Sequence, residues 1–136
     1  MKKKIKVGIV QGRLSKKING LIQAFPRSNW LKEFKIAKKI GFDGIEFIFD
    51  DLKNPLLSKN GRDKINKIKS LTNIEIFSIS CDYSMFNPLF GKTKKKTTQV
   101  ALNLLRVCYQ LGIPRLALSL EDNSSLLNKN DVKDAI

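Results

Sequence analysis

Short apolar runs of strand type alternate along this chain with longer segments of helical apolar spacing, and this alternation limits the possible folds more than any other feature. The expected strands are 5–10, 44–49, 74–81 and 115–120. The expected helices are one from Trp30 to the stop at Gly41, one from near 61–63 to 72–73, one along 100–111, and a fourth capped by Asn130-Asp131. Strands that alternate with helices of about 10 residues or more join into parallel sheets through right-handed crossovers. The sequence therefore predicts an α/β fold built of parallel (β/α) units.

Two architectures fit this order, an open doubly wound sheet or the first half of a TIM (β/α)8 barrel. A complete barrel takes about 250 residues, so the 136 residues of this chain correspond to about half of one. No GxGxxG or GxxxxGK[ST] motif follows a strand, which removes the usual signature of a doubly wound nucleotide-binding sheet. We expect 1–136 to be a single partial barrel domain of four βα units, with the fourth helix cut off at Ile136.

Composition narrows the function classes. Histidine is absent, so any proton transfer must use carboxylates, Lys, Arg, Tyr, Ser or Cys. The cysteines Cys81 and Cys108 are too far apart for a CxxC motif, and no segment is long and apolar enough for a membrane span, so we expect a cytoplasmic protein with reduced thiols. The net charge is +14, but the lysines are spread over expected solvent faces of helices, which makes nucleic acid an unlikely partner.

Half of the acidic residues fall at or just beyond the carboxyl ends of expected strands. They are Glu46, Asp50, Asp51, Asp82, Glu121 and Asp122. Strand alternation puts Glu46 and Asp50 on the face opposite Ile45 and Phe47, and it groups Phe77 with Ile79 and Cys81 on a bulky face. Ligands of parallel α/β folds bind at this rim. Asp51 and Asp122 are also explained as turn or capping residues, whereas Glu46, inside an apolar strand, favours a functional role.

The connection after the first strand, 11–29, is long for a βα loop and carries Arg13, Lys16, Lys17 and Arg27. Loops of this length are commonly lids or binding loops, so its cations are candidates for contacting an anionic substrate, although a loop that only packs through Phe25 fits equally well. Asp82-Tyr83 sets a carboxylate beside a phenol, which suits a sugar or, equally, a turn with a packed Tyr.

A series of motifs runs in order through nearly the whole chain. They are QGRLS at 11–15, QAFP at 23–26, W-x3-F-x2-A at 30–37, GFDGIEFIFD at 41–50, NPL at 54–56, DY at 82–83 and DNSSL at 122–126. Together they resemble bacterial sugar phosphate isomerase/epimerase proteins of the xylose isomerase-like TIM barrel superfamily, here the N-terminal half only. The same superfamily includes the endonuclease IV type of apurinic endonuclease, so an apurinic-endonuclease-like or basic nucleic-acid-binding module is the alternative.

The resemblance implies an active site at the carboxyl ends of the barrel strands, where a divalent metal assists proton transfer beside a sugar carbonyl. It carries Glu46 over as the acidic residue of the second strand that faces the mouth, which makes it the candidate catalytic residue, and Gln11, Arg13, Asp82 and Asp122 as substrate-binding positions. Asp50, Tyr83 and Glu121 join this substrate-binding set from the strand pattern.

The metal ligands of such proteins come from later strands, so no metal site is expected within this chain. The site is therefore expected to be incomplete, and whether the chain alone is an enzyme is left open. A small sugar or sugar phosphate is the expected ligand, and self-association through the open half-barrel edges is a further expectation.

Overall fold

A computed structural model describes residues 5–18, 20–21 and 24–136. Gln23 of the QAFP motif lies outside these residues. The elements in chain order are β1 Gly8–Val10, α1 Trp30–Ile40, β2 Gly44–Ile48, α2 Lys59–Thr72, β3 Glu75–Cys81, α3 Tyr83–Phe86, α4 Lys94–Leu111, β4 Leu116–Leu118 and α5 Lys129–Ala135. Short 3-10 turns occupy Pro55–Leu57, Gly91–Thr93 and Asp122–Ser124.

The sheet has four strands in the order β1-β2-β3-β4, and every neighbouring pair is parallel. The α/β fold with parallel units is therefore confirmed. The strand order does not reverse, so these four strands contain no switch point of the doubly wound kind. Successive right-handed crossovers in one direction put the connecting helices on one face of the sheet. The opposite face of the sheet points away from these helices.

The helix ends follow from individual residues. Gly41 and Gly112 end α1 and α4 in the left-handed conformation, with φ of 102° and 64°. Ser58 caps α2 by accepting from the Gly61 N–H, so this helix begins before the expected 61–63. Asn128 caps α5 by accepting from the N–H groups of residues 130 and 131, so the expected cap at Asn130-Asp131 is wrong.

One core lies between the sheet and its helices. Phe34 and Ala37 of α1, Ile65 of α2 and Leu104 of α4 are buried in the same hydrophobic cluster as Phe47 of β2. Phe25 reaches this core from the long first loop, with its ring centroid 5.5 Å from that of Phe47. The first loop is therefore packed onto the helix side of the sheet through Phe25, which was one of the two expectations for this loop.

The register of β3 corrects the expected position of Phe77. Ile45 pairs with Ile76 and Glu46 pairs with Ser78, so Phe77 is skipped in a bulge. Its ring occupies the space above two glycines: a Cβ on Gly44 would lie 2.5 Å from a ring carbon, and one on Gly8 would lie 2.7 Å away. Phe77 thus shares the face of Gly44 and Glu46 rather than that of Ile79 and Cys81.

The two outer strands are shorter than expected, with three residues each, because each has a neighbour on one side only. Among the residues that the structure describes, no helix has both the length and the apolar character needed to cross a bilayer.

Candidate functional site

The carboxyl ends of the four strands meet at one rim of the sheet, and the first loop is fixed to this rim by Gln11. The Gln11 N–H donates to the Glu46 carbonyl at 3.0 Å, and its side-chain Oε1 accepts from the Ile48 N–H at 3.2 Å. The amide oxygen thus continues the β1–β2 ladder where the main chain of β1 turns away. Gln11 is buried, and its Nε2 has no hydrogen-bond partner within the described part of the chain. Its observed contacts are structural.

Glu46 lies in the middle of β2 on the face turned away from the helices. It is half-buried, and its Oε1 accepts a hydrogen bond of 2.7 Å from the hydroxyl of Ser78 on β3. A hydroxyl donor stabilises the charged form of a carboxylate and fixes its orientation. Glu46 is therefore a positioned carboxylate on the open face of the sheet, with no cation among the partners that the structure describes for it.

Asp82 and Tyr83 follow β3 as the start of α3. Asp82 is buried, and its Oδ1 accepts from the Ser80 hydroxyl at 2.7 Å. Tyr83 is also buried, with its ring edge-on to Phe49 at a centroid distance of 6.1 Å. The Tyr83 hydroxyl is buried without a hydrogen-bond partner among the described residues. Tyr83 is thus mainly a packed turn residue, which is the second of the two interpretations given for Asp82-Tyr83.

Arg27 of the first loop is bound to the end of β2 by two carboxylates. Its Nη2 lies 3.0 Å from Asp50 Oδ2 and 2.7 Å from Asp51 Oδ2. Asp51 also accepts from the Lys53 N–H, which is the turn role considered for it. Since Arg27 already contacts carboxylates of its own chain, it is not a free cation for an anionic substrate.

Glu121 and Asp122 are exposed after β4, where Asp122 adopts a left-handed φ of 52° and opens a 3-10 turn. Two buried hydroxyls fix this end of the sheet. The Ser84 hydroxyl donates to the carbonyls of Cys81 and Ser119, at 2.8 and 2.9 Å, and the Ser124 hydroxyl donates to Ser119 at 2.9 Å. The ends of β3 and β4 are thereby held at a fixed separation.

A cavity of about 470 Å³ opens at this rim between the strand ends and the first loop. Its lining residues are Leu21, Ala24, Asp50, Asp82, Met85, Phe86, Ser119, Glu121 and Asp122. Four carboxylates thus line it together with apolar and aromatic surface, and the lining contains neither Lys nor Arg. Of the expected site residues, Asp50, Asp82, Glu121 and Asp122 meet here. Gln11, Arg13, Glu46 and Tyr83 are not part of this lining, and Arg13 is exposed in the turn after β1.

Two buried polar residues that no sequence motif indicated hold the rim together. Glu33 of α1 is fully buried, and its carboxylate accepts from the N–H groups of Gly12 at 2.8 Å and Leu14 at 3.1 Å. Asn54 is buried and links the Ile48 carbonyl to the Leu56 N–H. The detectable signal for Glu33 was an acid on the apolar stripe of its helix, next to Phe34 and four residues before Ala37.

The thiol of Cys81 lies beneath this rim at the end of β3. Burial raises its pKa from the ordinary 9.0 to about 11, and the nearby Asp82 carboxylate adds to the effect. A thiol of this kind remains protonated at neutral pH and is a poor nucleophile. Cys81 is therefore a packing residue.

The donor set does not fit a divalent metal. In the described residues, no three side chains of His, Cys, Asp or Glu lie close enough together to hold an ion. At the rim, Asp82 accepts a hydrogen bond from the Ser80 hydroxyl and Asp50 accepts one from Arg27.

No protein-family model matches this sequence, and no curated protein matches it significantly.

Proposed function

We propose that this chain is half of a xylose isomerase-like (β/α)8 barrel that binds a small sugar at its carboxyl rim, with Glu46 as the base for proton transfer next to the sugar carbonyl. One observation carries the proposal: an unreversed sheet of four parallel strands that brings Asp50, Asp82, Glu121 and Asp122 together at a single rim cavity. The same strand order occurs in a (β/α)8 barrel, and barrel enzymes bind their substrates at that rim.

The lining of the cavity supports a sugar. Carboxylates accept hydrogen bonds from hydroxyl groups, and Met85 and Phe86 offer apolar surface to the C–H face of a pyranose or furanose. The lining carries four acids, one of which, Asp50, is paired with Arg27 outside the lining, and the remaining negative charge favours a neutral sugar over a phosphorylated one at this position.

The chemistry assigned to Glu46 is general base catalysis. A carboxylate oriented by the Ser78 hydroxyl takes the proton from the carbon beside a carbonyl and returns it to the same or the neighbouring carbon. Glu46 lies deeper in the strand than the cavity lining, so the sugar carbonyl has to reach the open face of the sheet. The proposal includes a cytoplasmic setting, since both cysteines are free thiols.

Ligand-observed NMR with a panel of aldoses and ketoses, with and without a phosphate group, tests the binding. We expect neutral sugars to bind and Asp82→Asn to weaken them about tenfold, while Glu75→Gln, an acid-to-amide change at the far end of β3, leaves binding unchanged. Deuterium incorporation from D₂O into a bound ketose tests the base role and is expected to be lost in Glu46→Gln. Absence of binding by every sugar, or binding that Asp82→Asn does not change, refutes the proposal.

The nucleic-acid alternative is supported by the superfamily resemblance and by the net charge of +14. The rim cavity is lined by acids and repels phosphates. Binding of abasic duplex that keeps its site preference at 200 mM salt is the result that would favour this alternative; loss of weak binding with salt is what a lysine-rich surface predicts.

A further inference from the structure

A second cavity lies between the first loop, the beginning of α1 and the beginning of α2. Its volume is about 540 Å³, which is within the usual size of a small-molecule site. All of its lining residues fall between 25 and 64, so the first two βα units build it alone. It shares no lining residue with the acid-lined rim cavity. We call it the outer cavity.

The outer cavity carries an excess of positive charge. Its charged lining residues are Arg27, Lys53, Lys64 and Asp51. Arg27 and Asp51 form an ion pair at 2.7 Å, so their charges largely offset each other. Lys53 and Lys64 are exposed, and neither ammonium group has an ion pair or a hydrogen bond among the residues that the structure describes. Two uncompensated cations from different elements therefore face one concave space.

The apolar part of the lining is a fixed aromatic wall. Trp30 is half-buried, and its ring centroid lies 6.2 Å from that of Phe25 and 6.1 Å from that of Phe47. This packing holds the indole in place before a ligand arrives, so contact with it costs little conformational entropy. A flat or apolar ligand group can therefore lie against Trp30 while its charged group reaches the lysines.

From these observations we propose that the outer cavity binds a phosphorylated small molecule, whose phosphate contacts Lys53 and Lys64 and whose apolar part lies against Trp30. A phosphate monoester carries close to two negative charges at neutral pH, which matches two unpaired ammonium groups. A cavity with an indole in its wall favours a small molecule over the extended backbone of a nucleic acid. The proposal does not depend on sugar binding at the rim.

Titration with phenyl phosphate, inorganic phosphate and phenol tests the proposal. Trp30 is the only tryptophan of the chain, so tryptophan emission reports on this cavity directly. We expect phenyl phosphate to change the emission in a saturable way and to bind at least about fivefold more tightly than inorganic phosphate or phenol. Isothermal titration calorimetry at an ionic strength of about 0.15 M gives the same Kd without relying on emission.

Lys53→Gln and Lys64→Gln are each expected to raise the Kd for phenyl phosphate about fivefold, and the double variant more than about tenfold. Neither substitution removes a contact that the structure describes for these side chains, and circular dichroism verifies the fold. Lys39→Gln is the matched control. Lys39 is exposed near the far end of α1, about 13 Å along the helix from Trp30, so its Kd should change less than about twofold.

Three results overturn the proposal. One is the absence of saturable phenyl phosphate binding in calorimetry, and another is a Kd that is the same in the lysine variants and the unchanged protein. The third is a single-stranded oligonucleotide that binds more tightly than phenyl phosphate and is weakened by the same two substitutions, which would assign the lysines to nucleic acid. Equal affinity for phenyl phosphate and inorganic phosphate overturns the role of Trp30.

Failure of this proposal and failure of the proposed function can be told apart. Asp82→Asn at the rim should leave phenyl phosphate binding unchanged, and the lysine variants should leave sugar binding unchanged. A protein that binds phenyl phosphate but no sugar refutes the proposed function and keeps the outer site.

Discussion

Replacement of Glu33 tests how the rim is built. Its carboxylate is fully buried and accepts from the backbone N–H groups of Gly12 and Leu14, at 2.8 and 3.1 Å. A hydrogen bond to a charged acceptor contributes about 1.5–3 kcal/mol, and a donor left unpaired in a buried position costs about 1–3 kcal/mol. Relief from burying the charge offsets part of this loss. We expect Glu33→Ala to lower the free energy of unfolding by about 3 kcal/mol and Glu33→Gln by about 2 kcal/mol, since one amide oxygen can still accept.

Urea denaturation at a fixed protein concentration measures the effect, and a fixed concentration is needed because association would add to the apparent stability. A loss of this size lowers the urea midpoint by about 1–2 M. A local readout accompanies it, since the carboxylate holds the first loop. Tryptic cleavage at Arg13, Lys16 and Lys17 should be faster in both variants.

Glu75→Gln is the matched control. Glu75 is exposed and pairs with Lys6 at 2.5 Å, so the same change of charge should alter stability by less than about 0.5 kcal/mol. The reasoning is refuted if Glu33→Gln is as stable as the unchanged protein, or if the loop is cleaved at the same rate.

Two further predictions concern the sheet itself. Gly44→Ala puts a Cβ 2.5 Å from the Phe77 ring and should lower the free energy of unfolding, measured by urea denaturation, by about 2 kcal/mol. Adding Phe77→Leu to this variant should recover part of the loss. Purely additive effects of the two substitutions would contradict the close contact. The Cys81 thiol has an ordinary pKa of 9.0, which we take for the unfolded chain, and burial raises this pKa to about 11 in the folded chain. Between pH 9 and pH 11 the unfolded chain therefore loses the thiol proton while the folded chain keeps it. Stability should therefore be full below pH 9 and fall by roughly 2 kcal/mol up to pH 11. Cys81→Ala should show a smaller fall across that window, and an identical fall would contradict the assignment.

The helices and the inner strands could be predicted well from local chemistry. Gly41 and Gly112 stop α1 and α4 where a left-handed residue is needed, and the expected ends agree with the structure. The lengths of the outer strands were overestimated, because an apolar run indicates that a segment can form a strand but does not show whether a neighbouring strand is present on both sides. β4 keeps three residues of the expected 115–120 for that reason.

For the candidate site, the sequence predicted only its location at the rim formed by the carboxyl ends of the strands. Their positions at strand ends put Asp50 and Asp82 at the same rim, and the structure brings both into a cavity with Glu121 and Asp122. The contacts of Arg27 with Asp50 and Asp51 could not be foreseen, because they depend on how a long loop folds back over the sheet. The position of Phe77 depends on a bulge opposite two glycines, which no period-2 pattern contains.

The sequence by itself determined the alternation of strands and helices, because apolar periodicity and caps are local properties of the chain. It also determined that carboxylates follow the strands. Only the tertiary structure decided the strand order, the buried role of Glu33 and the separation of Arg13 from the acid-lined cavity. These depend on contacts between residues far apart in the chain, where burial and hydrogen-bond geometry, and not residue type, fix which charges meet.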